Sequence, residues 1–262
     1  MRGANLVAAD GPVAGPSVTT HSNPVEMRTL SSVSKTPAVR AKDLLVGYGG
    51  EPVCAPVTFT LSPGRVIALV GANGSGKSTV LRAVLGLLDP AGGSVEVFGE
   101  AVNEREVGFR TKVASVLDDD AYFPALTVAE HLYLTARGHG VAGAEEVVDD
   151  VLEEFGLTEH GTSLPVALSS GQRRRLLLAA GFVRPRALLV LDEPEQRLDL
   201  RMRTRLAERL IAEKAAGGAV LLATHDPALL RAVADRAVLV ADDESRLLSA
   251  EDAATAIEQG PR

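Results

Sequence analysis

The chain of 262 residues is 46% hydrophobic and 23% charged, enough for one sizeable α/β core or a core with a small subdomain. Its net charge of −7 argues against a general nucleic-acid binder, which needs a basic footprint to displace counterions. The one cysteine, Cys54, excludes an internal disulfide and suits a reducing compartment, and it reads as a small buried side chain.

Residues 1 to about 36 are rich in Gly, Pro, Ser, Thr, Ala and Val without a helix or strand period, and Gly11-Pro12 and Gly15-Pro16 break any regular element. This stretch reads as a disordered extension. It lacks the apolar core of a signal peptide, and no later stretch has the apolar length to span a bilayer. The expected place is therefore the cytosol, with any membrane path supplied by another polypeptide.

From Val39 the texture changes. Residues 66–70 are fully apolar and β-branched, the pattern of a buried strand. Gly71-Ala72-Asn73-Gly74-Ser75-Gly76-Lys77-Ser78-Thr79 follows, and then Val80, Leu81, Val84, Leu85, Leu87 and Leu88 recur at helical spacing until Asp89-Pro90, which should end the helix. A glycine-rich turn between strand and helix lets backbone N–H groups surround a phosphate at the positive helix end. Lys77 would reach the β- and γ-phosphates of a nucleotide, and the Ser78 hydroxyl would face Mg²⁺.

Further apolar strands are expected at 95–98, 113–117, 188–191, 220–223 and 237–240. Alternating with helices, they suggest a mostly parallel sheet covered on both faces. Between Thr127 and Leu157 the pattern is helical, with Val147, Val148, Val151, Leu152 and Phe155 on one stripe. Leu168-Ser169-Ser170-Gly171-Gln172 precedes a basic run, Arg173, Arg174 and Arg175. By itself this is an N-capped helix; its basic first turn opposes the helix dipole and points to a nearby anion. The run at 188–191 leads into Asp192-Glu193 and delivers both acids to the end of the sheet where the phosphate loop lies. Asp192 is expected to hold Mg²⁺ and Glu193 to act as the general base that polarises the attacking water. Asp226-Pro227 reads as a helix cap with a first-turn proline, while His21, His131, His139 and His160 read as structural, without zinc spacing. There is no internal repeat, so the chain holds one nucleotide-binding unit.

The order phosphate loop, Leu168-Ser169-Ser170-Gly171-Gln172, Asp192-Glu193 and Thr224-His225-Asp226 resembles the ATP-binding subunits of ABC transporters from about residue 39 to 250. The resemblance implies an α/β fold over 37–262: a P-loop NTPase core with a mostly parallel sheet, an N-terminal antiparallel β part, and an inserted helical subdomain at about 118–184. It implies ATP and Mg²⁺, with Lys77, Glu193 and His225 as the catalytic set, His225 contacting the γ-phosphate, and Tyr48 stacking on adenine. Two such chains, identical or merely similar, would sandwich two ATP molecules. Ser169, Ser170, Gly171 and Gln172 would each face the ATP of the opposite subunit, and Asp199 would link the pair. The implied partner is an integral membrane permease, placing the chain on the inner face of the cell membrane. Export is the expected direction, since the chain ends soon after the core. The alternative is a soluble regulatory or repair ATPase of the same family without a membrane partner. Such relatives usually carry two sites in one chain or long inserted arms, and this chain has neither.

Three positions depart from the family pattern. Ser170 stands in a glycine pair, and Asp118 falls where a glutamine that faces Mg²⁺ is usual. Glu195-Gln196-Arg197 replaces a small-residue segment before Leu198-Asp199.

Overall fold

The computed structural model describes residues 36–49, 51–117 and 121–259. The readings of the N-terminal extension, His21 and Asp118 fall outside them. Strand β1 (Val39–Leu45) alternates buried Val39 and Ala41 with exposed Arg40 and Lys42, the signature of a half-buried strand. A short hairpin, β2 (Gly47–Tyr48) and β3 (Glu51–Pro52), leads to β4 (Val57–Leu61), which turns Val57, Phe59 and Leu61 inward. Strand β5 (Val66–Val70) is buried at every position and runs into the phosphate loop and helix α1 (Lys77–Val84).

Helix α1 stops earlier than Asp89-Pro90. Gly86 takes φ 73°, and the N–H groups of Gly86 and Leu87 donate to Ala83 O and Arg82 O at 3.1 and 2.9 Å. This closes the free carbonyls in a Schellman cap, which outranks the hydrophobic period that continues through Leu88. Strand β6 (Gly92–Val97) then pairs antiparallel with β1, and β7 (Glu100–Ala101) adds the edge; the sheet order is β4-β1-β6-β7. The strand expected at 95–98 thus belongs to an antiparallel layer rather than the parallel one.

Helix α2 (Val107–Lys112) precedes β8 (Val113–Val116). Between β8 and β9 (Leu188–Asp192) lie α3 (Val128–Gly138), α4 (Ala144–Glu154) and α5 (Ser170–Phe182). Thr127 and Glu130 close a capping box on α3. Helix α6 (Leu200–Ala215), β10 (Ala219–Ala223), α7 (Pro227–Val233), β11 (Arg236–Leu239), β12 (Arg246–Ser249) and α8 (Ala250–Gln259) complete the order. The larger sheet reads β12-β11-β5-β10-β9-β8, parallel apart from β12.

Successive strand residues point to opposite faces, and each face has its own core. Val66, Ala68 and Val70 of β5, with Val220 and Leu222 of β10, pack with the helices α3 to α8. Ile67 and Leu69, with Leu221 and Ala223, pack with α1 and the antiparallel sheet. Each buried Val, Leu or Ile among them gains about 1.5–3 kcal/mol from leaving water, which commits β5, β9 and β10 to the centre.

A buried ion pair ties the loop between α5 and β9 to α6: Arg186 Nη2 lies 2.5 Å from Glu213 Oε2, and Arg186 Nη1 donates to the carbonyls of Phe182 and Arg184 at 3.0 and 2.8 Å. Burial pushes the Arg186 guanidinium down while the Glu213 carboxylate holds it up. Leaving either charge alone there costs about 3–5 kcal/mol. Among the described residues no helix is long and apolar enough to cross a membrane.

Candidate functional site

Parallel registry places three loops at one level. Ala223 at the end of β10 sits opposite Leu69 of β5 on one side and Asp192 of β9 on the other. The phosphate loop follows β5, Glu193 follows β9, and His225 follows β10. All three leave the carboxyl ends of parallel strands, the edge where open α/β sheets bind ligands.

The phosphate loop, Gly71 through Gly76, is followed by Lys77, Ser78 and Thr79 in the first turn of α1. Lys77 is 5% exposed, and its Nζ donates to Gly71 O and Ala72 O at 3.1 and 2.9 Å, folding back over the loop. Burial pushes its amine below the usual lysine range, with the nearby carboxylates of Glu193 and Asp192 opposing. Asn73 and Gly74 are exposed, and Ser75 is buried with an unpartnered Oγ. Val53 and Cys54 pack against Gly76 and seat the β2–β3 hairpin beside the loop. Tyr48 stands on that hairpin, 55% exposed. Cys54 is buried, and its thiol is pushed up first by burial and then by Asp242.

Burial pushes the Asp192 carboxyl up and the Glu193 charge adds to the rise, while the Ser78 side chain close by works the other way, so the two expected metal residues stand side by side. Asp192 Oδ1 is buried, without a hydrogen-bond partner among the described residues. Among the described residues no three His, Cys, Asp or Glu side chains gather into a metal cage. Two oxygen donors of this kind suit Mg²⁺, which keeps waters and binds through one carboxylate plus substrate phosphate.

Glu193 adopts φ 45°, a left-handed conformation uncommon for a residue with a side chain. Its N–H donates to Ala223 O at 2.9 Å, and Gln196 Nε2 donates to its Oε2. His225 Nε2 lies 3.1 Å from Glu193 Oε1 but out of hydrogen-bonding alignment, so the ring nitrogen has close electrostatic company and no hydrogen bond. Lys77, Ser78, Asp192, Glu193 and His225 are therefore brought together. His131 is buried, and His160 contacts Gln172.

Ser169, Ser170, Gly171 and Gln172 open α5 elsewhere. Among the described residues no hydrogen bond or ion pair joins them to the phosphate loop. Ser169 and Gln172 form a capping box: Gln172 N donates to Ser169 Oγ at 3.2 Å, and Ser169 N donates to Gln172 Oε1 at 2.8 Å. Ser169 and Ser170 are exposed. At Gly171, a side chain would meet Arg197 O at 2.7 Å, so glycine is required by a contact inside this chain as well.

The basic first turn has partners of its own. Arg173 donates to Leu168 O at 2.7 Å, and Arg175 pairs with Asp199 at 2.9 Å. Buried Arg174 donates to the carbonyls of Asp192 and Glu193 at 2.5 and 2.8 Å. The dipole-opposing charges are thus answered within the chain. Asp199 also caps α6 by accepting from Met202 N at 2.8 Å.

Three residues escaped the sequence reading as site-builders: Arg174, Glu195 and Thr224. Glu195 was visible as a departure, but nothing in the sequence shows that it is buried.

This is the geometry of a P-loop nucleoside triphosphatase. Comparison with known proteins narrows it. The family model described as ABC transporter matches residues 54–196. The cytochrome c biogenesis ATP-binding export protein CcmA of Paramagnetospirillum magneticum (strain ATCC 700264 / AMB-1) is 40% identical over 187 residues, covering 71% of this chain and 86% of CcmA. PhnT of Salmonella paratyphi A (strain ATCC 9150 / SARB42), named for 2-aminoethylphosphonate import, is 34% identical over 212 residues, 79% of this chain and 57% of PhnT. A solved structure of the ATP-binding subunit of an ABC transporter superposes with a TM-score of 0.73 at 30% identity, over 80% of this chain and 89% of that one. The chain belongs to the ABC transporter family: it is an ATP-binding subunit whose activity is ATP hydrolysis in the service of transport.

Proposed function

We propose that this chain binds ATP with Mg²⁺, closes against a second copy or a similar subunit, and drives a separate membrane permease from the cytoplasmic face. The observation that carries this reading is the convergence of the phosphate loop, Asp192-Glu193 and His225 on one sheet edge. Lys77 exchanges its loop carbonyls for the β- and γ-phosphates. Ser78 and the unpartnered Oδ1 of Asp192 hold Mg²⁺, which supplies charge neutralisation on the phosphates. Glu193 takes the proton of the attacking water, and His225, against Glu193 Oε1, orients that water toward the γ-phosphate. Tyr48 stacks on adenine from its hairpin.

Ser169 and Ser170 are exposed at a helix N-terminus with Gly171 and Gln172 half-buried beside them, a place suited to the ATP of the opposite subunit. The helical subdomain, at about residues 118–184, is the part that moves on closure. Asp199, whose carboxylate holds Arg175 and the N-terminus of α6 in its own chain, is the residue that links the subunits. Export is the direction carried forward, because the export relative is the more similar in sequence, 40% against 34%.

The test is recovery of tagged Glu193→Gln with ATP from detergent-solubilised membranes of the native host, read by mass spectrometry. A multi-span protein at near-equal abundance is the expected result, and its sequence would point to the cargo. Recovery of the chain alone as a stable ATP-bound dimer would sink the permease reading.

A further inference from the structure

Glu195 is a carboxylate almost without water, 5% exposed, in the loop that carries Glu193. Its Oε1 accepts two hydrogen bonds from the loop after β10: Thr224 Oγ1 donates at 2.5 Å and His225 N at 3.2 Å. Thr224 is fully buried, and its oxygen in turn accepts from Asp226 N at 3.0 Å. A hydroxyl has one proton. With Asp226 N–H filling its acceptor side, that proton is directed to Glu195. The Thr224–His225–Asp226 backbone is therefore held by one side chain from the loop after the neighbouring strand. His225 Nε2 then falls 3.1 Å from Glu193 Oε1. Glu193 itself is fixed by its N–H to Ala223 O and by Arg174 on its carbonyl.

We propose that Glu195 is a positioning residue for hydrolysis: it holds the loop of His225 in register with the loop of Glu193, so that imidazole and general base face the same water. This rests on the reading of Glu193 and His225 as the hydrolytic pair. The role requires an acceptor oxygen at Oε1. Burial favours the uncharged carboxyl, against the hydrogen bonds from Thr224 and His225. A glutamine at 195 keeps an acceptor for the same two donors, whereas alanine leaves the Thr224 hydroxyl and the His225 N–H without one.

The test compares the purified full chain with Glu195→Ala and Glu195→Gln, measuring kcat and KM for ATP, melting temperature, and the imidazole ¹⁵N signals of His225. Glu195→Ala is expected to lower kcat by at least about tenfold while KM stays within about twofold, and Glu195→Gln to remain within about threefold of the parent. The His225 signals should move in the alanine variant and stay in place in the glutamine variant. Parental turnover in Glu195→Ala, or equal losses in both variants, overturns the proposal. A joint loss of ATP binding, turnover and melting temperature in Glu195→Ala leaves only a structural role and overturns it too. If the parent chain turns over no ATP, the hydrolytic reading fails instead, and His225 signals unmoved by Glu195→Ala would overturn the positioning claim independently.

Discussion

Lys77 opens helix α1 and Asp192 ends strand β9, yet each favours the other's charged form. The Asp192 carboxylate supports the buried ammonium, and the ammonium in turn favours the ionised carboxylate. Both groups are partly desolvated, so an arriving phosphate meets a cation whose hydration is already largely lost. The loop carbonyls of Gly71 and Ala72 hold Nζ at about the position from which it can turn to an anion. Lys77→Ala should therefore weaken ATP binding about ten- to hundredfold, the loss of one charge-assisted contact. Calorimetry showing unchanged affinity would remove Lys77 from the site. These residue identities were open to a sequence reading because backbone geometry dictates them: a loop that wraps a phosphate needs its glycines and lysine at fixed offsets. Glu195 and Arg174 were not, because their roles depend on which loop lies beside them after folding.

At the scale of elements, Asp235 shows how the sheet is anchored to its helices. Its Oδ2 accepts from Val66 N at 2.8 Å at the start of β5, while Oδ1 accepts from Lys214 at the end of α6 and from Arg65, at 2.8 and 2.9 Å. Burial works to raise its carboxyl, but these hydrogen bonds outweigh it and hold the group below the usual aspartate range. A folded-state pKa below the unfolded one stabilises the fold at pH values above the unfolded pKa, near 3.9, and that gain is lost as the pH falls through and below it. Asp235→Asn should cost about 1–2 kcal/mol near pH 7, allowing for solvent screening of the outer contacts. Urea unfolding should show the gap between variant and parent holding steady down to about pH 4 and narrowing only below it; a gap that stays constant down to about pH 2 would rule out the charge as its source. The buried strands 66–70, 188–191 and 220–223 were legible because unbroken apolar runs leave few alternatives. The end of α1 was not, since a Schellman cap depends on Gly86 and its two N–H groups while the apolar period runs on. Strand β6 showed its apolar character but not its sheet, because pairing partners distant in sequence leave no local mark. Helix α6, which the sequence reading did not single out, buries Met202, Leu206 and Leu210 at every fourth residue.

For the molecule as a whole, the phosphate loop and the N-terminus of α5 are separate within one chain, so the proposed site is complete only across a pair. Two crippled copies should then rescue each other. Lys77→Ala and Ser169→Glu are each expected to be inactive alone. Mixed in equal amounts, they should recover a substantial part of parental turnover, because half of the mixed dimers' sites combine an intact loop with an intact α5 terminus. A mixture as inactive as its components would argue against shared sites. The contacts around α5 add a mechanical consequence. Gly171 lies against Arg197, Arg174 holds the carbonyls of Asp192 and Glu193, and Arg175 holds Asp199. The α5 terminus is thereby geared to the strand that carries Glu193. In the proposed pair, a displacement of Glu193 at one nucleotide would be felt as a tug on the other, and the two turnovers would become strokes of one engine.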